Sequence, residues 1–387
     1  MTLSTEFQEV GHCGGQIIVD VKTDSDGNRR VQFGIRHSRP TPASWFAIYA
    51  LPQGIPVGTI QLGGIGDPWN QPPLPECLPI FIASDSQGMF GHQCPRCHGY
   101  WRSTAAPSRW RMTCPYCGIR ALIHDFLTAG QTRYLQAFCE LIADAMASDA
   151  DGKHAVDMDE VADAVDKDVP KPSFYYAEEQ QQNKFRCSAC GEFNDILGRY
   201  GYCSSCGSHN GASELEADIN QIRDRIKTTT EYEACAKDVV SAFDSFARQL
   251  AKQLASRIPM TSARRKDWER KLFHNLKPCA DGLRDAFDIH ALKSLSADEI
   301  GFASLMFHRR HVYEHNGGEV DNKYIQDTGD TSVRPKQVIR ETIDTASRIA
   351  DLVLRMGHNV ANGFHQIFPP EEMPLALRRQ QTGRGAN

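Results

Sequence analysis

The chain has 387 residues, room for two or three domains, and its 41% hydrophobic and 24% charged content is that of a globular protein rather than a fibrous or wholly disordered one. A formal net charge of −5 argues against a protein that coats polyanions through its global field, so nucleic-acid contact must come from local basic patches. No stretch approaches the roughly eighteen apolar residues of a membrane span, and residues 1–6 do not begin a signal sequence, so a cytoplasmic protein without membrane contact is expected.

Residues 1–90 alternate short apolar runs with Gly and Pro turns. Runs at 16–21, 31–35, 45–49, 57–62 and 78–82 read as strands of a small β domain, with a hairpin connection at 24–28. The glycines at 63–66 suggest a nucleotide loop, but no helical pattern follows and Pro68, Pro72, Pro73 and Pro75 make the segment a plain loop.

Eight of the thirteen cysteines fall in four Cys-x-x-Cys pairs, which points to metal rather than disulfides. Cys94, Cys97, Cys114 and Cys117, with sixteen residues between the pairs, have the spacing of a zinc ribbon, placed at 91–126. Four thiolates fill such a site, so His92 and His98 are not needed as ligands. Arg102, Arg109, Trp110 and Arg111 between the knuckles are read as solvating and packing the module, with nucleic-acid contact as the alternative. A connecting amphipathic helix is expected over 127–148, carrying Leu127, Tyr134, Leu135, Phe138, Leu141 and Ile142. Residues 149–172, rich in Asp and closed by Pro170 and Pro172, read as an acidic linker. Cys187, Cys190, Cys203 and Cys206, with twelve residues between the pairs, form a second ribbon at 173–211. Two closed four-thiolate sites imply two structural zinc ions per chain and no catalytic metal. Cys13, Cys77, Cys139, Cys235 and Cys279 are read as small buried hydrophobes.

From 212 to 370 the periodicity is helical. Leu215, Ile219, Ile222 and Ile226 form one stripe. Val239, Phe243, Phe246, Leu250 and Leu254 form another, begun by a Thr230–Glu233 capping box and ended by Pro259. A basic helix follows, with Arg264, Arg265, Lys266, Arg270 and Lys271 outside and Trp268, Leu272 and Leu276 inside; its charges are read as a solvated face, with an RNA-binding surface as the alternative. Ser296 and Glu299 cap the next helix, and a last long one is expected from Pro335 through Val338, Ile339, Ile343, Ala346, Ile349 and Val353. Residues 371–387 read as a tail. The fold class is thus multidomain α+β: a β domain, two ribbons and an all-α bundle.

The helix capped by Ser296 ends in an unusual cluster. His308, Arg309, Arg310, His311, Glu314 and His315 crowd its last turns, and Gly317 and Gly318 stop it there. Arg310 and His315 form Arg-x-x-x-x-His, with His311 directly after the Arg. This resembles the signature of the HEPN superfamily of helical ribonucleases, across roughly 213–368. The resemblance implies Arg310 and His315 as catalytic residues with His311 beside them, RNA as substrate, a homodimer through the bundle, and metal-independent cleavage. It also implies a toxin or antiviral-defence role. A free ribonuclease would harm its own cell, so residues 1–211 are expected to sense a trigger or regulatory partner, or to hold the bundle inactive.

Three other readings compete. Basic residues in a last turn complement the helix dipole. His311, Glu314 and His315 also spell the inverted zinc-peptidase motif, which requires a distant third ligand and a large mixed α/β fold. A non-catalytic module for binding nucleic acid or protein, dimerised through the bundle, is the alternative at the level of the whole chain.

Overall fold

The computed structural model describes residues 15–36, 45–61, 74, 76–84, 89–104, 110–148, 150–166, 174 and 182–384. The loop at 63–68, Cys13 and Arg109 lie outside them. Strand β1 (Gln16–Thr23) buries Ile17, Val19 and Val21 at alternate positions, as a half-buried strand requires. It pairs antiparallel with β2 (Arg29–Arg36) through a turn in which the Asp24 carboxylate accepts from the N–H groups of Asp26 and Asn28, and Gly27 takes φ 82°. Strands β3 (Trp45–Ala50), β4 (Pro56–Gln61) and β5 (Leu78–Ala83) make a second sheet in the order β4-β3-β5.

The first cysteine module carries β6 (Phe90–Gln93), β7 (Tyr100–Ser103), β8 (Met112–Thr113) and β9 (Arg120–Ala121). Helix α1 (Ala129–Ala147) follows, capped by Thr128 with Gln131. It is more than a connector. Tyr134, Leu135, Phe138 and Ile142 share one buried cluster with Ile17, Val19, Ile48, Ile80 and Ile82, so the β domain expected at 1–90 is completed by this helix. Leu141, expected on the same stripe, is exposed. At the β3–β4 turn Gly54 has φ 78°, and a Cβ there would lie 2.8 Å from Gln136 Cγ of α1.

The expected acidic linker is also structured. Residues 152–157 form β10 (Gly152–Asp157), antiparallel to β1 from Gln16↔Asp157 to Val21↔Gly152, so the sheet order is β10-β1-β2. Helix α2 (Met158–Asp166) then places Met158, Val161 and Ala162 in the same core. The acids lie between apolar residues at helical spacing, and burial of that stripe outweighs a composition that reads as solvated. The rest of that segment, 167–172, lies outside the described residues.

The two ribbons share one sheet, while β8 and β9 pair in a separate two-stranded one. Strands β11 (Gln182–Arg186) and β12 (Phe193–Leu197) join β7 and β6 in the order β11-β12-β7-β6, through Asn194↔Ser103 and Asp195↔Arg102. Thr113 N–H donates to Ser204 O at 2.8 Å and Tyr202 N–H to Pro115 O at 2.9 Å. Ile196 of the second ribbon packs with Trp101, Met112, Ile123 and Phe126 of the first. Modules too small for a core of their own thus share one and leave fewer open strand edges.

Residues Ser208–Pro370 form a separate helical unit. It contains α3 (Gly211–Ile226), α4 (Tyr232–Arg257), α5 (Ser262–Arg270), α6 (Leu276–Phe287), α7 (Ala297–His315), α8 (Asn322–Thr328) and α9 (Ile343–Ile367). Helices α4 and α9 pack on each other, with α3 against both and α7 against α4. Three details differ from expectation. Helix α4 starts at Tyr232 with Glu231 as N-cap, because the Glu233 carboxylate accepts from Glu341 N–H instead of closing a box with Thr230. The last helix of the unit starts at Ile343, capped by Thr342, and Val338 before it is exposed. Leu272 is 49% exposed rather than inside. The expected tail is a helix, α10 (Glu372–Arg384), which belongs with the ribbons: Glu371 N–H donates to Cys206 O at 2.7 Å, and Leu375 packs on the second cysteine cluster. Among the described residues no helix is long and apolar enough to cross a membrane.

Candidate functional site

Each cysteine pair sits on a knuckle in which the N–H four residues after the first Cys returns to that Cys carbonyl. The donors are His98, Gly118, Gly191 and Gly207, all at positive φ. Glycine adopts this geometry without the Cβ penalty; His98 adopts it with one. The turns bring Cys94, Cys97, Cys114 and Cys117 together, and likewise Cys187, Cys190, Cys203 and Cys206, with all sulfurs of a cluster within 4.8 Å of one another. Across the knuckles Sγ–Sγ distances are 3.7 Å for Cys94–Cys117 and Cys97–Cys114, 3.6 Å for Cys187–Cys206 and 3.5 Å for Cys190–Cys203. Four thiolates about 2.3 Å from a tetrahedral ion lie about 3.8 Å apart, so both clusters fit a metal ion such as zinc. Crowding splits the thiols. Hydrogen bonding from Cys114 holds Cys117 down at about 2, while Cys203, first by burial, is pushed far up. A bound cation is what lets all four ionise together. Buried Asn194 supports the second cluster, donating to Cys203 Sγ at 3.6 Å and accepting from Ser204 N–H at 2.8 Å.

His92 is not a ligand. It is buried against Trp101, its Nε2 lies 3.2 Å from Ser103 Oγ, and burial lowers its pKa to about 3. Arg102 and Trp110 are half-buried and Arg111 is exposed.

Helix α7 is built to present its C-terminal end. Ser296 and Glu299 close a reciprocal capping box at its start, as the sequence indicates. At its finish Asn316 caps, Gly317 and Gly318 take φ 58° and 87°, and Gly318 N–H returns to Val312 O at 3.1 Å. Ala303, Met306, Phe307 and Val312 face inward, and that phase buries Arg309. Arg309 meets Glu341 and Asp330 at 3.0 Å each and Tyr324 Oη at 3.3 Å. Burial opposes its charge, yet Tyr324, Glu341 and Asp330 hold its pKa above the ordinary range. Burial likewise opposes the charge of Asp330, but hydrogen bonds from Ser332, Tyr324 and Arg309 keep it at about 2. Tyr313 Oη donates to Glu341 at 2.5 Å, and burial followed by that carboxylate raises its pKa. The network fastens residues 320–341 to α7.

Arg310 leaves on a different face. Its Nε donates to Ser241 Oγ of α4 at 3.0 Å, and its Nη2 lies 3.1 Å from Glu314, with 16% of the side chain exposed. His311 and His315 are exposed one turn apart, with ring centroids 4.5 Å from each other. Desolvation, then the positive charges of His315, Lys323 and His274, lower the His311 pKa and favour its neutral, proton-accepting form. His308 is half-buried, and the Asn316 side chain donates to Asp321 at 3.1 Å. No protein-family model matches this chain, nor does any curated protein or solved structure.

The inverted zinc-peptidase reading finds no third ligand among the described residues. Among the described residues the two cysteine clusters are the groups arranged to hold a metal, and Glu314 is paired with Arg310. Sequence reasoning missed Ser241, His274 and the Asp330–Glu341 network, which are distant in the chain. The Arg310–Glu314 pair it passed over was legible as an i,i+4 spacing.

Proposed function

We propose that the Ser208–Pro370 unit is a metal-independent endoribonuclease of HEPN type. The observation that supports this best is the exposed pair of His311 and His315 rings, tilted at 53° with centroids 4.5 Å apart, beside the partly exposed guanidinium of Arg310, at a helix end. Cleavage by the ribose 2′-OH needs a base for its proton, an acid for the leaving 5′-oxygen, and a cation for the charge of the pentacoordinate phosphorus. Two imidazoles one turn apart supply the proton transfers, and His311 is set toward the acceptor role. The planar fork of Arg310 grips a phosphate bidentately. Ser241 fixes its direction, and Glu314 balances its charge until a phosphate replaces it.

Arg310 and His315 project about 140° apart around one helix, so a single copy aims them poorly at one phosphorus. A homodimer through the helical unit, with two α7 ends lining one cleft, supplies both from facing chains. The cysteine clusters are proposed as structural zinc sites, which lend folding free energy to modules with little core. They belong to a regulatory half in which a trigger or partner is sensed, in keeping with a toxin or defence role.

The contacts of Arg310 with Ser241 and Glu314 also favour a second reading, in which Arg310 is a packing residue of a non-catalytic binding module. Purified protein incubated with single-stranded RNA and with the matching DNA separates the two. RNA cleavage lost in both Arg310→Ala and His315→Ala supports the ribonuclease; equal cutting of DNA, or cleavage that survives both substitutions, overturns it.

A further inference from the structure

Helix α7 borders a cavity on the side of Arg310 away from the histidine pair. At about 100° per residue, His311 lies about 100° from Arg310 in one direction around the helix and Tyr313 about 60° from it in the other. Tyr313 is one wall of a cavity of about 260 Å³, whose other walls are Glu233 and Lys237 in the first turns of α4, Gly318 after α7, and Val338 and Arg340 before α9. Helix α4 leads back to the same arginine. Lys237 and Ser241 are one turn apart, the Ser241 hydroxyl donates to Lys237 O at 2.9 Å, and it accepts from Arg310 Nε at 3.0 Å. Both helices therefore carry the cavity wall to within one turn of Arg310.

The walls are fixed in place. The Tyr313 hydroxyl is tied to Glu341, and Ile339 N–H donates to Gly318 O at 3.0 Å while Val320 N–H donates to Gln337 O at 2.8 Å, so residues 337–339 are fastened to the end of α7. Gly318 keeps the space between them open: a Cβ there would lie 3.4 Å from Val338 Cγ1 and 3.7 Å from Tyr313 Cδ1. The lining charges sum to a positive one. Glu233 is met by Arg340 at 3.6 Å and by Glu341 N–H at 3.2 Å, whereas Lys237 has no acidic partner among the described residues. Val338 is 48% exposed. A fixed aromatic ring and an aliphatic side chain beside an uncommitted cation suit a nucleotide, with its base on the apolar wall and its phosphate on the cation.

We propose that this cavity is a nucleotide subsite: it seats the base next to the phosphate gripped by Arg310 against Tyr313 and Val338, with the neighbouring phosphate on Lys237. The subsite rests on reading Arg310 and the histidines as a ribonuclease site. It places the base on the side of Arg310 away from His311, which leaves the imidazoles clear access to the phosphorus. The cavity takes a single flat ring, as one nucleotide of a strand presents, and is too small for a folded peptide segment.

The test irradiates full-length protein with a short single-stranded RNA of 2′-O-methyl-4-thiouridine, which cannot be cut and whose thiocarbonyl couples on irradiation to side chains touching the base. Fragmentation mass spectrometry locates the adducts. The expected result is an adduct at Tyr313, formed about two- to fivefold less in Val338→Glu and in Lys237→Gln, the worth of one exposed charge contact. Loss of one phosphate contact in Lys237→Gln should also make the slope of log K against log salt shallower by about 0.7. Both substitutions are at the surface, and circular dichroism checks that the variants are folded. Adducts confined to residues outside the cavity overturn the subsite, as does an unchanged salt slope in Lys237→Gln. Equal labelling of Tyr313 by free 4-thiouridine 5′-monophosphate also overturns it, because the cavity would then hold a mononucleotide rather than a strand. Cutting of unmodified RNA is read separately. Tyr313 adducts without cutting keep the RNA subsite and remove the ribonuclease reading; cutting with adducts only elsewhere does the reverse.

Discussion

A step of about 100° around α7 separates Arg309, inside a ring of Asp330, Glu341 and Tyr324, from Arg310, at the surface between Ser241 and Glu314. Removing Arg309 strands two buried carboxylates, so Arg309→Ala should cost about 3–5 kcal/mol in urea unfolding. Arg310 shares a partly exposed pair with a single carboxylate, and Arg310→Ala should cost about 1 kcal/mol while abolishing cleavage. Similar stability losses in the two variants would contradict this division of roles. In the proposed site Glu314 competes with RNA for Arg310, so Glu314→Gln should lower the KM for RNA about two- to fivefold, the equivalent of a weak surface ion pair. A large fall in turnover would instead give Glu314 a direct part in the chemistry.

Among the elements, the metal knuckles were legible because their ligands are neighbours in sequence and their turns need glycine or its equivalent. The strand β10 was not. Its partner β1 lies far upstream, and nothing in an acidic, Pro-bounded segment announces a pairing between Gln16 and Asp157. The fusion of the ribbons escaped for the same reason, since the β7–β12 contact depends on edges that only meet in three dimensions. That fusion makes a prediction. In Cys187→Ser one metal site should fail, and because β12 and Ile196 complete the first ribbon, amide exchange in β7 should quicken as well. Native mass spectrometry counting metal, together with hydrogen exchange, reads both effects. Loss of one metal with β7 exchange unchanged would show two independent modules.

For the whole molecule, the sequence separated a cysteine-rich half from a helical half, and the structure divides at Gly207 and Pro370, with the terminal helix α10 returned to the first unit. The ends of α7 could be read from Ser296 and Glu299 at its start and Gly317 and Gly318 after it, which placed the motif on a helix end. The contacts that set Arg310 in place come from α4 and could not be read. With the proposed chemistry in the helical unit alone and the proposed metal in the other, the reaction should proceed without a free divalent ion. The measurement that tests this most directly is mass analysis of the ends of single-stranded RNA cut by the purified protein in the presence of excess chelator. Fragments ending in a 2′,3′-cyclic phosphate, formed at a rate close to that without chelator while thiolate-bound metal stays in place, are the predicted result. Cleavage that requires added Mg²⁺, or that leaves 3′-hydroxyl ends, would contradict it.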